Sequence, residues 1–277
     1  GIREHYYPRN AKDSLPKDAE SVPVALADKL NLLTTAFSLN MIPSGAADPY
    51  ALRRTAQGIT QLILGLRLSL DLHDLTSAAI RLLDEQLQLS LDRTKLQQEL
   101  LDFLIQRQRW FLQERGIRYD LIDAVLKNQA EVQPAKEKTA RRALPIEKLQ
   151  FAEFLVEHLE SEMFKRSVEA IVRAANISNK YPDKIPNKLD ESVLTLTEEK
   201  NFFKALLQIR KSDPQSLWTP ENYLEQLRKI EPVVTRFFED VMVMDEDPVK
   251  CGNRLWLCQQ LAQWSRLHLD LQTLVFA

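Results

Sequence analysis

Apolar residues recur every three to four positions along most of the chain, the spacing of helices that bury one face. Val24, Leu26, Ala27, Leu30, Leu33 and Phe37 predict a helix over Val22 to Phe37. Met41 to Asp48, with Pro43, Ser44 and Gly45, reads as a loop. Asp48-Pro49 reads as an N-cap followed by proline at the first helical position, opening a helix through Leu52, Ile59, Leu62, Ile63, Leu66 and Leu70. Another helix is expected over Ser77 to Leu91. Asp92 caps the next, which carries Leu96, Leu100, Phe103, Leu104, Trp110 and Leu112 and stops before Gly116. Tyr119 to Asn128 makes one more short helix.

Residues 129–145 read as a connection, with Pro134, Pro145 and the basic cluster Lys136, Lys138, Arg141 and Arg142. Beyond it, Leu149, Phe151, Ala152, Leu155 and Leu159 mark one helix, and Val168, Ile171, Val172 and Ala175 another. Residues 181–197, holding Pro182 and Pro186, read as irregular, and Glu198 to Lys211 as helical. Thr219-Pro220 repeats the cap-plus-proline signature ahead of Tyr223, Leu224, Leu227, Val234, Phe237, Phe238 and Val241. Pro232 inside that run predicts a kink or break. The last helix is expected over Gly252 to Leu274. No pair of alternating strands and no fixed-period repeat is predicted. The fold class is therefore all-α, a bundle of about a dozen helices in two or three groups.

Composition narrows the function classes. The 277 residues are 44% hydrophobic and 27% charged, a globular balance. Only 6 are glycine, which disfavours phosphate-cradling loops and turn-rich β folds. A net charge of −2 excludes a uniformly basic nucleic-acid-coating protein and leaves room for a local basic patch. Cys251 and Cys258 stand seven apart, so they form no CxxC knuckle; they read as small buried hydrophobes, compatible with a reducing cytosol. No run of about 18 apolar residues is present, so no membrane span is expected. The first ten residues carry no apolar signal core, and the abrupt start reads as a cut from a longer chain.

Motifs for catalysis are scarce. His5, His73, His158 and His268 form no HExxH, and no GxSxG elbow is present. His73-Asp74 resembles a metal-binding dyad, but its position at a helix boundary suits Asp74 as a cap. Asp245-Glu246-Asp247 before Pro248 reads as a solvated acidic turn. Arginines are the more informative group. Arg53-Arg54 sits one turn into a capped helix; Arg107, Arg109, Arg115 and Arg118 surround Trp110 and Phe111; Arg173 and Asn176 share a helix, as do Arg210 and Lys211; Asn253-Arg254 opens the last. Guanidinium forks and amides grip phosphates and base edges, and aromatics stack on unpaired bases. A solvated helix face or a carboxylate partner is the better explanation of any single one of them.

Several stretches resemble the C-terminal part of the beta subunit of bacterial-type, heterotetrameric glycyl-tRNA synthetase. They are HYYPR at 5–9, VALADKL at 24–30, IPSG at 42–45, DPYALRR at 48–54, DFLIQRQRWFLQERGIRYDLIDAVL at 102–126, RAANI at 173–177 and FFEDVMVMDEDPVKCGNRL at 237–255. Their order and spacing follow the family from end to end. The resemblance implies the tail of an HD-like domain at 1–47, a helical middle region at 48–144 and an anticodon-binding helical domain at 145–277. Asp28 stands at the place of the final aspartate of an HD constellation whose partners are absent here, so it is expected to cap or pair instead. RAANI departs from the family by lacking the branched residue after its arginine, and the Pro182–Pro186 loop reads as lineage-specific.

The resemblance further implies a division of labour. The alpha subunit forms glycyl-adenylate from glycine and ATP, with magnesium, and charges the tRNA. The beta subunit binds glycine tRNA within a complex of two alpha and two beta chains, in the bacterial cytoplasm or an organelle. This chain then carries no catalytic residue, metal or cofactor of its own. The RNA-contact candidates are Arg173, Asn176, Asn253 and Arg254, with Arg53 and Arg54 either joining them or pairing with carboxylates. A structural brace for the assembly and an HD-type metal phosphohydrolase remnant are the alternatives.

Overall fold

Short polar side chains decide where the helices begin. The computed structural model describes residues 4–88, 91–127, 144–212, 219–267 and 269–276. Among them stand ten α-helices: α1 (Ser21–Ser38), α2 (Leu52–Gly65), α3 (Leu72–Leu87), α4 (Arg93–Glu114), α5 (Tyr119–Leu126), α6 (Pro145–His158), α7 (Glu162–Lys180), α8 (Thr197–Ser212), α9 (Pro220–Asp240) and α10 (Pro248–Arg266). The described residues hold no strand, only an isolated bridge between Ser44 and Ala47. The all-α expectation stands. The basic connection expected at 129–145 falls outside the described residues, apart from its last two positions.

Asp92 accepts from Lys95 N at 3.1 Å and Thr219 Oγ1 from Asn222 N at 3.3 Å, as their positions predict. Three starts differ from expectation. Asp48 does cap α2, accepting from Leu52 N at 2.8 Å and Arg53 N at 3.0 Å, but the helix opens at Leu52. Pro49 therefore precedes the helix, and Ala51 takes the N-cap position at φ 54°, in the left-handed region. Asp71, not Asp74, caps α3, accepting from His73 N at 2.7 Å, so that helix starts five residues before Ser77. Asp247 caps α10 by accepting from Val249 N at 2.9 Å, with Pro248 as the first helical residue. The acidic turn is thus a helix start. α10 also ends early, at Arg266, and Asp270 caps a separate 3-10 turn over Leu271–Thr273. Asp28 lies mid-helix in α1 and exposed, so it caps nothing. α9 runs unbroken through Pro232; burial of Ile230, Val234 and Phe237 on both sides offsets the backbone bond that proline removes.

The chain divides into two compact units, Gly1–Ile122 with Glu137–Leu149 and Asp123–Lys136 with Gln150–Ala277. In the first, α1 packs on α2, α3 and α4, and Phe37 meets Phe103 edge-on at 5.1 Å. Lys29, buried on α1, donates to the carbonyls of His5, Tyr6 and Tyr7 at 3.2–3.4 Å and so ties down the N-terminal HYYPR stretch. In the second, α7 packs on α10 and α9, and α8 on α9 and α10. Its core holds Phe202 against Phe237 at 5.0 Å, Phe154 against Phe164 at 5.8 Å and Tyr223 stacked on Trp264 at 5.4 Å. Each fully buried aromatic of this kind contributes about 1.5–3 kcal/mol by leaving water. No helix among the described residues is long and apolar enough to cross a membrane.

Candidate nucleic-acid interface

One exposed face of α7 and the chain that follows it form an open groove of about 570 Å³, lined by Glu169, Val172, Arg173, Asn176, Ile177, Lys180, Tyr181 and Met244. The sequence builds it simply. Val168, Ile171, Ala174 and Ala175 bury the opposite side of α7. Positions 169, 173, 176 and 180 then fall together on the free side. Tyr181 ends the helix ahead of Pro182, and two ammoniums approach its ring, Lys180 Nζ at 5.5 Å and Lys184 Nζ at 5.2 Å from the centroid.

Two of the sequence candidates meet here. Arg173 is exposed, with its guanidinium 4.4 Å from the centre of the Phe238 ring and no hydrogen bond among the described residues. Asn176 Oδ1 accepts from Gln272 Nε2 at 2.9 Å, which orients the amide, and its Nδ2 donors hold no partner among the described residues. Cationic forks, an amide and a half-exposed aromatic around an open, partly apolar groove match what single-stranded RNA requires.

Asn253 and Arg254 take a different part. Both are buried. Asn253 clasps the backbone of Asp190, accepting from its N at 3.1 Å and donating to its O at 2.8 Å. Arg254 donates to Glu199 Oε1 at 2.6 Å, Asp245 Oδ2 at 2.6 Å and the Met242 carbonyl at 2.8 Å. The sequence marks both as RNA-contact candidates; the fold buries them and commits Arg254 Nε and Nη1 and the Asn253 amide to internal partners. They work one layer behind the groove. Asn253 fixes the loop after Tyr181, and Arg254 fixes the turn that presents Met244. Gly252 lets the backbone come close there: a Cβ would stand 3.0 Å from the Lys184 carbonyl oxygen, so the loop would have to give by a few tenths of an ångström.

In the other unit, Arg53 Nη2 donates to the Gly45 carbonyl at 2.7 Å, bracing the loop before α2, while Arg54 is exposed. The aromatic-flanked arginines of α4 lie on rings of their own helix, Arg107 at 5.2 Å from Phe103 and Arg115 at 4.1 Å from Phe111. Arg118 forks onto Asp120 at 2.7 and 2.6 Å. Among the described residues, no three His, Cys, Asp or Glu side chains converge as a metal site. Cys251 and Cys258 are buried, and burial pushes the Cys258 thiol up to about 12, so it stays protonated and inert.

Sequence reasoning missed Glu169, Lys180, Tyr181 and Met244. The 169/173/176/180 spacing was readable; the return of Met244 to the same groove depends on the tertiary fold.

A family model described as DALR anticodon binding domain matches residues 167–272, the segment that holds most of α7, all of α8, α9 and α10, and the groove. Most of the second unit thus resembles an anticodon-binding type of helical domain. A model described as glycyl-tRNA synthetase beta subunit matches residues 1–127. The chain belongs to the glycyl-tRNA synthetase beta subunit family. Relatives named glycine–tRNA ligase beta subunit include that of Halalkalibacterium halodurans, 32% identical over 279 residues, covering 100% of this chain and 38% of the relative. That of Glaesserella parasuis is 33% identical over 256 residues, covering 91% of this chain and 35% of the relative. That of Clostridioides difficile is 31% identical over 278 residues, covering 99% and 38%. The chain spans little more than a third of the length of these relatives.

Proposed function

We propose that this chain is a tRNA-binding, non-catalytic part of a glycine–tRNA ligase, holding the anticodon end of glycine tRNA while an alpha subunit carries out the ATP-dependent glycylation. The observation that carries the reading is the α7 groove, which places Arg173, Asn176, Lys180 and Tyr181 on one open face inside the segment matching an anticodon-binding domain. Such a grip acts by positioning: fixing one end of the tRNA raises the effective concentration of the other at a partner's active site. Affinity comes from arginine and lysine on phosphates, and selectivity from stacking and edge contacts to splayed bases.

A complex of two alpha and two beta chains in the cytoplasm fits this reading. The ATP and magnesium belong to the alpha subunit's chemistry. Arg54, exposed on α2, remains a candidate for a phosphate contact away from the groove. The reading is tested by the double variant Arg173→Ala, Lys180→Ala, whose altered side chains are both exposed. At fixed salt its affinity for glycine tRNA is expected to fall at least about tenfold with circular dichroism unchanged. Undiminished affinity contradicts it.

A further inference from the structure

Glu169 and Arg173 stand one helical turn apart on α7, with the acid on the N-terminal side, the arrangement that most favours an ion pair within a helix. They do not pair. Arg173 lies over the Phe238 ring, and Glu169, exposed in the groove wall, has no hydrogen bond or ion pair among the described residues. A surface built only to hold phosphates gains nothing from a free carboxylate, which repels them. An open acceptor beside open guanidinium donors instead suits a ligand edge that offers a hydrogen-bond donor next to acceptors.

Cytosine has that edge: the exocyclic N4 amine donates, and N3 and O2 accept. Uracil presents an acceptor, O4, where cytosine has the amine, and O4 would face the carboxylate oxygen. A carboxylate accepting from cytosine N4 is a recurrent pairing in base readout. The groove also has the means to hold an unstacked base, with Tyr181 on one side and Val172, Ile177 and Met244 as apolar lining.

We infer that Glu169 is a base-specificity residue that selects a cytosine by accepting from its N4 amine, with Arg173 donating to the acceptor atoms of the same base. The inference rests on the tRNA-binding reading above, and it is concrete there: glycine codons begin with GG, so the last two anticodon letters are cytosines.

The test uses the 277-residue chain, as wild type and as Glu169→Gln, with a fluorescent anticodon stem-loop of glycine tRNA. Copies carry uridine at the second or third anticodon letter. Wild type is expected to prefer cytosine at one of these letters by about 10- to 100-fold. Glutamine offers a donor as well as an acceptor, so E169Q is expected to bind the cytosine and uridine copies within about threefold of each other. Full cytosine preference in E169Q overturns the assignment of Glu169 and leaves the tRNA-binding reading intact. Absence of any preference in the wild-type chain overturns both. Glu169 is exposed and holds no hydrogen bond or ion pair among the described residues, so circular dichroism of E169Q is expected to match wild type.

Discussion

Arg254 Nε donates to Glu199 Oε1 across 2.6 Å, and the two side chains are only 5% and 2% exposed. The second fork of Arg254 reaches Asp245 and the Met242 carbonyl. One buried guanidinium thereby joins α8 and α10 to the turn between α9 and α10 that carries Met244 into the groove. The NRL element of the sequence is a device for shaping the α7 groove from behind.

Removing one side of a buried pair leaves an uncompensated charge, so Arg254→Met is expected to cost about 3–5 kcal/mol. Adding Glu199→Leu in the same chain is expected to recover part of that loss. Urea unfolding of the wild type, the single variant and the double variant checks this. A single-variant loss below about 1 kcal/mol would refute the central role given to Arg254.

Contact and positioning residues separate by salt. A lost phosphate contact makes the dependence of log K on log salt shallower by about 0.7–0.9, the counterion share of one phosphate. Lys180→Ala, at an exposed cation of the groove, is expected to show that change. Arg254→Met, measured where it remains folded, is expected to lower affinity with the slope unaltered.

How much of this was readable beforehand follows from how local each cause is. Helical periodicity and the Asp92 and Thr219-Pro220 starts were legible because a cap and its amide lie within three residues. The starts of α2, α3 and α10 were misplaced. Asp48 reaches its amides across a left-handed Ala51, and the capping roles of Asp71 and Asp247 were overlooked beside more conspicuous neighbours. Arg173 and Asn176 share one helix, as the sequence predicts, and the groove around them lies one step further along the same spacing. Asn253 and Arg254 have the right chemistry for RNA; only the fold reveals that residues 55 and 63 positions away satisfy them.

Lys148 predicts a pH effect. Its side chain is buried, and burial lowers its pKa from 10.5 to about 7. Between those values the unfolded chain binds the proton and the folded chain does not, so stability rises with pH from about 7 to 10.5 and the penalty is fully present below 7. The slope contributed reaches at most about 1.4 kcal/mol per pH unit. Lys148→Met is expected to flatten that rise, seen as a smaller difference between urea midpoints at pH 7 and pH 9 than in wild type.

Ala51 holds φ 54° without the freedom of glycine. Left-handed backbone costs an L-residue about 1–2 kcal/mol, and the greater unfolded-state entropy of glycine returns part of any gain. Ala51→Gly is therefore expected to stabilise the chain by about 0.5–1 kcal/mol, read as a rise in its thermal midpoint.

The most direct test of anticodon recognition by this chain is fluorescence anisotropy with glycine tRNA and an anticodon-swapped copy across a salt series. The account predicts tighter binding of the native anticodon, with a preference that persists at moderate salt because base-edge contacts release no counterions. Equal affinity for both tRNAs, falling steeply with salt, or no binding at all, would contradict it and leave the chain a structural brace.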